Sequence, residues 1–311
     1  MQISLVVTVL NEATTIDLLL AGISQQTTPP REIIVVDGGS TDQTLNILKA
    51  WKKSPTIGKK LKIFRKKGNR SVGRNFGISQ AKHSWIAITD AGCVPLNDWL
   101  AQLAIAQQQS QAKVIAGYYF GLPNSSFEQA VVPYVLVMPD KVDPENFLPA
   151  TRSMMIHRSV RKKLGGFDEK LKYNEDYAFA KKVEQNKIKI AFTDKALVGW
   201  LPRTNLKSFY QMIYRFAYGD LQAGILRPKV VLIFLRYFIF LALLSWSSFT
   251  GTLANGASFF LAIIMIYFIW AVMKNRKYLD TGRLWLPILQ VTSDLAVMAG
   301  SFNGWLAKKK K

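Results

Sequence analysis

Two residue types that commonly build metal centres are nearly missing from this chain of 311 residues, which has one cysteine, Cys93, and two histidines, His83 and His157. A single thiol excludes a disulfide framework and any multi-cysteine zinc or iron–sulfur site. Acids are scarce as well: 20 Asp and Glu face 41 Lys and Arg, for a formal net charge of +21. Of those acids 18 lie at or before Asp220, and only Asp280 and Asp294 follow. The opening MQISLVVTVLNE lacks a basic leader and a small-residue cleavage site, so no signal peptide is expected and the start of the chain should stay in the cytosol. Proline and glycine, at 12 and 20, are ordinary, and with 49% hydrophobic residues the chain is too apolar to be disordered. The length allows one large or two small domains.

Apolar residues are concentrated toward the end. Val230 to Phe249 (VVLIFLRYFIFLALLSWSSF) contains Arg236 as its only charge, and Leu253 to Met273 (LANGASFFLAIIMIYFIWAVM) has none. A helix needs roughly 20 apolar residues to cross the hydrocarbon core, so spans are expected at about 230–249 and 253–273. Arg227 and Lys229 precede the first, and Lys274, Arg276 and Lys277 follow the second. Basic flanks stay on the cytoplasmic side, which predicts a hairpin with its tip outside and everything before Arg227 in the cytosol. A third apolar stretch, about 284–307, places Ile288, Val291, Leu295, Met298, Phe302 and Trp305 on one helical face. Gln290, Asp294, Ser301 and Lys308 lie largely opposite, and four lysines, Lys308 to Lys311, close the chain. A helix lying in the membrane interface suits both facts; a third crossing would put the lysines outside.

No acid occurs between Asp42 and Asp90, while Lys49, Lys59, Arg65, Lys66, Arg70 and Arg74 are among the cations there. With apolar stretches downstream, anionic lipid headgroups are the expected partner and nucleic acid is not.

Before those stretches the chain alternates strand and helix. Ile3 to Val9 and Glu32 to Val36 are β-branched runs suited to strands buried on both faces. Thr44 to Trp51 reads as helix, Leu61 to Phe64 as strand, Ser71 to Ala81 as helix and Trp85 to Thr89 as strand. This is an α/β pattern with a mostly parallel sheet, whose ligands gather at the carboxyl ends of the strands. Asn11-Glu12, Asp37 and Asp90 follow three such ends. One aspartate there could cap a helix; three on one sheet edge favour a nucleotide site. Neither GxGxxG nor GxxxxGK[ST] occurs, so a dinucleotide fingerprint and a P-loop are both unsupported.

The ordered motifs VVTVLNE, EIIVVDGGSTDQT, GRNFGISQA, IAITDAG, GGFDE and NEDYAF, with FLPATRS before GGFDE, span about Ile3 to Tyr218. In these the chain resembles the inverting glycosyltransferases of family 2, which have the nucleotide-sugar-binding GT-A fold. The resemblance implies a GT-A domain over 1–203; the residues that follow read as an amphipathic membrane-interface segment over 204–228 and a transmembrane region over 229–311. It implies that Asp37 binds the base of a nucleoside-diphosphate sugar, that Asn11 and Glu12 line the same pocket, and that Arg74 approaches base or diphosphate. Asp90 matches the first aspartate of the family's DxD, which reaches the ribose or a metal-bound water. The second, the usual ligand of Mg²⁺ or Mn²⁺, is here Gly92. Any divalent cation is then held by Asp90, the diphosphate and water, or cationic side chains replace it.

Asp176, preceded by Glu175, matches the ED pair whose aspartate is the general base. It would take the proton of the attacking hydroxyl as the sugar inverts, with no covalent intermediate. Both residues could also cap the helix that follows. Processive family members carry QxxRW; here Gln211 and Arg215 are one residue further apart and Phe216 replaces the Trp. The implied partners are a nucleotide-sugar donor, membrane lipids and a lipid-linked or glycan acceptor, at the cytoplasmic membrane. A non-catalytic GT-A-like protein binding anionic lipid or polymer is the alternative, and Gly92 is its best support.

Overall fold

The structure is a computed structural model that describes residues 1–250 and 253–309, with side chains described for all of these except 244, 247–250, 253–257 and 259. The expected hairpin tip at Gly251 and Thr252, and the last two closing lysines, Lys310 and Lys311, lie outside the described residues. Two compact units are present, one of Met1–Leu122 and Leu136–Leu201, the other of Pro123–Val135 and Pro202–Lys311.

The first unit begins β1 (Ile3–Val9), α1 (Ile16–Ser24), β2 (Glu32–Asp37), α2 (Thr44–Trp51), β3 (Leu61–Arg65), α3 (Arg70–Gln80) and β4 (Trp85–Ile88). It continues β5 (Cys93–Pro95), α4 (Trp99–Ser110) and β6 (Val114–Gly121). The chain then passes through α5 (Ser126–Val135) in the second unit and returns as β7 (Met154–His157), α6 (Arg158–Leu164), α7 (Glu175–Gln185) and β8 (Ile190–Trp200). The eight strands form one sheet in the order β3-β2-β1-β4-β7-β6-β8-β5. β3, β2, β1 and β4 run parallel, as their β-branched, doubly buried runs require. Beyond β4 the expectation of a mostly parallel sheet gives way to a mixed one: β7 is antiparallel to both β4 and β6, β5 is antiparallel to β8, and β6 and β8 are parallel.

The parallel register fixes where the polar strand ends fall. Val9 is level with Asp37, and Val6 with Ile88, two residues before Asp90. Helix α3 lies unusually close to β1 and β2 because two glycines face them. A Cβ on Gly77 would sit 2.6 Å from Val6 Cγ1, and one on Gly73 2.9 Å from Thr8 Cγ2. On that side of the sheet Val6, Val36, Ile88, Met154, Phe167 and Phe179 share one core.

In the second unit α5 is joined by α8 (Leu206–Gln222), α9 (Pro228–Thr250), α10 (Leu253–Asn275) and α11 (Trp285–Lys309). Both apolar stretches are thus helical. Among the described residues no helix is long and apolar enough to cross a membrane, so the two expected crossings find no support there; the stretches 230–249 and 253–273 both include positions whose side chains are not described. Helices α8 and α11 pack closely through Gly300 and Gly304, whose added Cβ atoms would lie 2.4 and 2.3 Å from the Tyr214 and Tyr218 carbonyl oxygens. Helix α11 is amphipathic as expected, with its faces turned the unusual way. Gln290, Asp294 and Ser301 are buried, while Ile288, Leu295, Phe302 and Trp305 are exposed.

The reason is a buried polar knot. Asp294 accepts from Arg236 of α9, from the Tyr267 hydroxyl of α10 and, at 3.0 Å, from Gln290 Nε2. Gln290 Oε1 in turn accepts from Lys274 Nζ at 3.0 Å. The one charge of the first apolar stretch and the last acid of the chain are therefore partners.

Candidate functional site

The site residues fall into two groups at the carboxyl end of the parallel strands. The first is the pair of loops after β1 and β2. Asn11 adopts a left-handed backbone, φ 56°, and its side-chain oxygen accepts from the Thr41 N–H at 2.9 Å. The Asn11 N–H donates to Ser40 Oγ at 2.9 Å and the Glu12 N–H to Thr44 Oγ1 at 2.8 Å. The Glu12 carboxylate accepts from Thr15 at 2.8 Å. Asp37 is wholly buried, and its carboxylate accepts from the Gly39 and Ser40 N–H groups at 3.2 and 3.0 Å, with Arg65 Nε at 3.6 Å. It is turned into its own loop, so its immediate work is to hold the DGGST turn.

The second group joins residues far apart in the chain. Arg74 reaches the end of the sheet because the two glycines of α3 seat that helix so closely. Its guanidinium, 2% exposed, pairs with Glu175, donates to Asp90 Oδ1 at 2.8 Å and to Thr151 Oγ1 at 3.0 Å. The Thr151 hydroxyl also lies 3.3 Å from Asp90 Oδ2 and 3.4 Å from Asp176 Oδ2, and its single proton serves one of them at a time. Asp176 stands in the first turn of α7, where Asn174 takes the left-handed conformation before the helix.

Burial alone would raise the Asp90 carboxyl, but Arg74, then Arg152 and Arg70, hold it below the ordinary range. Burial likewise opposes charge on Arg74, and Glu175, Asp90 and Asp176 overcome it, so the guanidinium stays protonated. Burial pushes the Cys93 thiol well up, which makes it inert packing.

Asp90, Arg74, Glu175 and Asp176 are therefore brought together, with Asn11, Glu12 and Asp37 forming the neighbouring loops of the same sheet edge. Glu175 is buried against Arg74 and positions it, which leaves Asp176 as the half-buried carboxylate. Sequence reasoning passed over Thr151 and Arg152, although both lie in the FLPATRS motif it noted. Their signal was an arginine and two hydroxyl residues inside an otherwise apolar run leading into β7.

The residues do not by themselves build a divalent-cation site. Among the described residues no group of three or more His, Cys, Asp or Glu side chains is placed to hold a metal ion. Asp90 is already engaged by Arg74, and a Cβ on Gly92 would meet nothing within 4 Å.

Comparison with known proteins bears on the family and the fold. Glycosyltransferase AglE of Haloferax volcanii is 23% identical over 231 residues, 72% of this chain and 74% of that protein. Mannosyltransferase PcManGT from Pyrobaculum calidifontis, solved with GDP-Man and Mn²⁺, superposes with a TM-score of 0.65 at 18% identity, covering 98% of this chain and 87% of that one. Residues 1–349 of S. aureus TarS, solved with UDP-GlcNAc, superpose with a TM-score of 0.53 at 17% identity, covering 97% and 91%. The fold is GT-A-like, and the sequence matches the family over residues 4–160, just over half of its length. The chain belongs to glycosyl transferase family 2 and is a glycosyltransferase.

Proposed function

We propose that the protein moves a sugar, with inversion, from a nucleoside-diphosphate sugar to a hydroxyl of a lipid-linked or glycan acceptor at the cytoplasmic membrane. The observation that carries this reading is the Thr151 hydroxyl standing between Asp90 and Asp176. The expected donor-side carboxylate and the expected base are both within reach of that one hydroxyl. The nucleoside rests against the Asn11–Glu12 and Asp37 loops, and Asp90 faces the ribose and diphosphate. A divalent cation, such as the Mn²⁺ found with GDP-Man in PcManGT, would meet the protein only through Asp90 and otherwise sit on diphosphate and water.

Asp176 acts as general base. It takes the acceptor's hydroxyl proton while that oxygen attacks the anomeric carbon and the nucleoside diphosphate departs. One carboxylate suffices, because no sugar–enzyme bond forms.

Attachment to lipid is supported by surface chemistry. Phe238 and Trp246 of α9, Ile266 of α10 and Phe302 of α11 are 57–70% exposed, among many apolar neighbours. Exposed apolar area on that scale marks a membrane or protein contact. Arg276 and Lys277 after α10, and Lys308 and Lys309 at the end of α11, supply cations suited to anionic headgroups. In this reading the first unit works in the cytosol.

The deciding experiment screens UDP-, GDP- and dTDP-sugars for transfer or hydrolysis by the full chain, wild type against Asp176→Asn. The variant is expected to lose about 10²–10⁴-fold in turnover with nucleotide affinity kept. No turnover of any donor by the wild type, or equal turnover by the variant, sinks the reading and favours a binding protein that retains the fold.

A further inference from the structure

One half-buried cation of the site has no ion-paired carboxylate among the described residues. Arg74 closes on Asp90 and Glu175, whereas Arg152 takes part in none of the ion pairs among the described residues. Its guanidinium carbon instead lies 5.3 Å from the Tyr119 ring centre and 5.6 Å from that of Trp200. Two aromatic faces hold a cation in place without neutralising it. The backbone beneath is fixed too, since the Thr89 hydroxyl donates to the Arg152 carbonyl at 2.8 Å.

The location is specific. Pairing of β5 with β8 sets Cys93 opposite Trp200, so the ring under Arg152 borders the Asp90–Cys93 turn. In that turn Gly92 leaves open space where a side chain would stand, and its carbonyl is taken by the Leu201 N–H at 3.1 Å. Arg152 lies within electrostatic reach of both Asp90 and Asp176. The turn thus has room, no second carboxylate and no free backbone oxygen at Gly92 for a hard cation, yet a fixed guanidinium stands beside it.

We propose that Arg152 receives the diphosphate of the donor in the space beside Gly92, supplying there the positive charge that a metal ion would otherwise bring. The proposal rests on the transferase reading above. In the reaction Asp176 accepts the acceptor's proton, and the acceptor oxygen bonds to the anomeric carbon. The bond from that carbon to the phosphate oxygen breaks, its electron pair passes to the diphosphate, and Arg152 meets that added charge. A guanidinium suits the task because its planar fork offers paired donors to two phosphate oxygens and cannot be deprotonated.

The test measures binding of UDP and GDP, and of uridine and guanosine, to the detergent-solubilised full chain, in EDTA and in Mn²⁺. The wild type is expected to bind one diphosphate in EDTA within about threefold of its affinity in Mn²⁺. Arg152→Gln should weaken that diphosphate at least about tenfold, as loss of a charge-assisted pair implies, and leave the matching nucleoside unchanged. Adding Gly92→Asp to Arg152→Gln should restore diphosphate binding in Mn²⁺ alone. Where Arg152→Gln does not fold, Arg152→Lys replaces it: the charge stays, the fork is lost, and about a three- to tenfold loss for the diphosphate alone is expected. The proposal is overturned if EDTA abolishes diphosphate binding by the wild type, if the variants bind diphosphate normally, or if they lose nucleoside and diphosphate alike. Should the wild type bind neither nucleotide under either condition, the donor reading itself fails, which is a separate result.

Discussion

A guanidinium as buried as Arg74 can be removed only by leaving a buried acid stranded. Glu175 is 3% exposed and is ion-paired with Arg74, whereas Asp90 also has Arg152 and Arg70 nearby. Breaking a buried pair from one side typically costs about 3–5 kcal/mol, because the remaining charge stays out of water. Arg74→Ala is therefore expected to destabilise the protein by about that amount, read as a lowered denaturation midpoint; a change below about 1 kcal/mol would contradict the described burial. At this scale the sequence was legible in kind and incomplete in pairing. The motifs pointed to Arg74, Asp90, Glu175 and Asp176, but no spacing says that residues about a hundred positions apart share protons. Asp37 adds a second use to the one read from sequence: a strand-end aspartate reads as a ligand group, and here its oxygens also accept from the Gly39 and Ser40 N–H groups.

Among elements, the strands and helices up to β4 were readable within a residue or two, because doubly buried parallel strands demand long β-branched runs. Past β4 the signal fades. β7, only MMIH, is too short to show a period, yet it reverses the sheet's direction. Helix α11 was readable as amphipathic, and the polar partners that bury its Gln290 and Asp294 were not, since periodicity is blind to what a face packs against. The glycines of α11 carry a separate expectation. Gly304→Val would drive its Cβ against the Tyr218 carbonyl oxygen, 2.3 Å away, in a contact made by backbone that cannot rotate aside. Overpacking of this kind costs about 1–3 kcal/mol, and the thermal midpoint in detergent should fall accordingly. An unchanged midpoint would mean that α8 and α11 are further apart than described.

For the molecule as a whole, the second unit is what a sequence scan reads least completely. The apolar stretches announce themselves, but α5, ten residues inside the preceding segment, gives no sign that it belongs with them. Phe127 of α5 stacks edge-on against Trp285 at 5.1 Å between ring centres, and the Tyr134 hydroxyl donates to the Leu286 carbonyl at 2.8 Å. A chain ended after Leu201 would bare Phe127 and Val131, both buried in the full protein. Such a truncation is expected to aggregate, while replacing 123–135 with a short polar linker as well should return soluble protein. The full chain should sediment with vesicles that contain anionic lipid at moderate salt. Full chain left in the supernatant of such vesicles would count against lipid attachment.

This interleaving also sets a schedule for synthesis. Helix α5 is complete at Val135, whereas Trp285 and Leu286, which cover it, come about 150 residues later. At roughly 5–20 residues per second the ribosome takes about 8–30 s to supply them. For that interval the apolar helix lacks the residues that cover it in the finished unit. A holding chaperone or the bilayer itself is then the natural custodian of residues 126–135, and slowing translation downstream of 201 should lengthen their exposure.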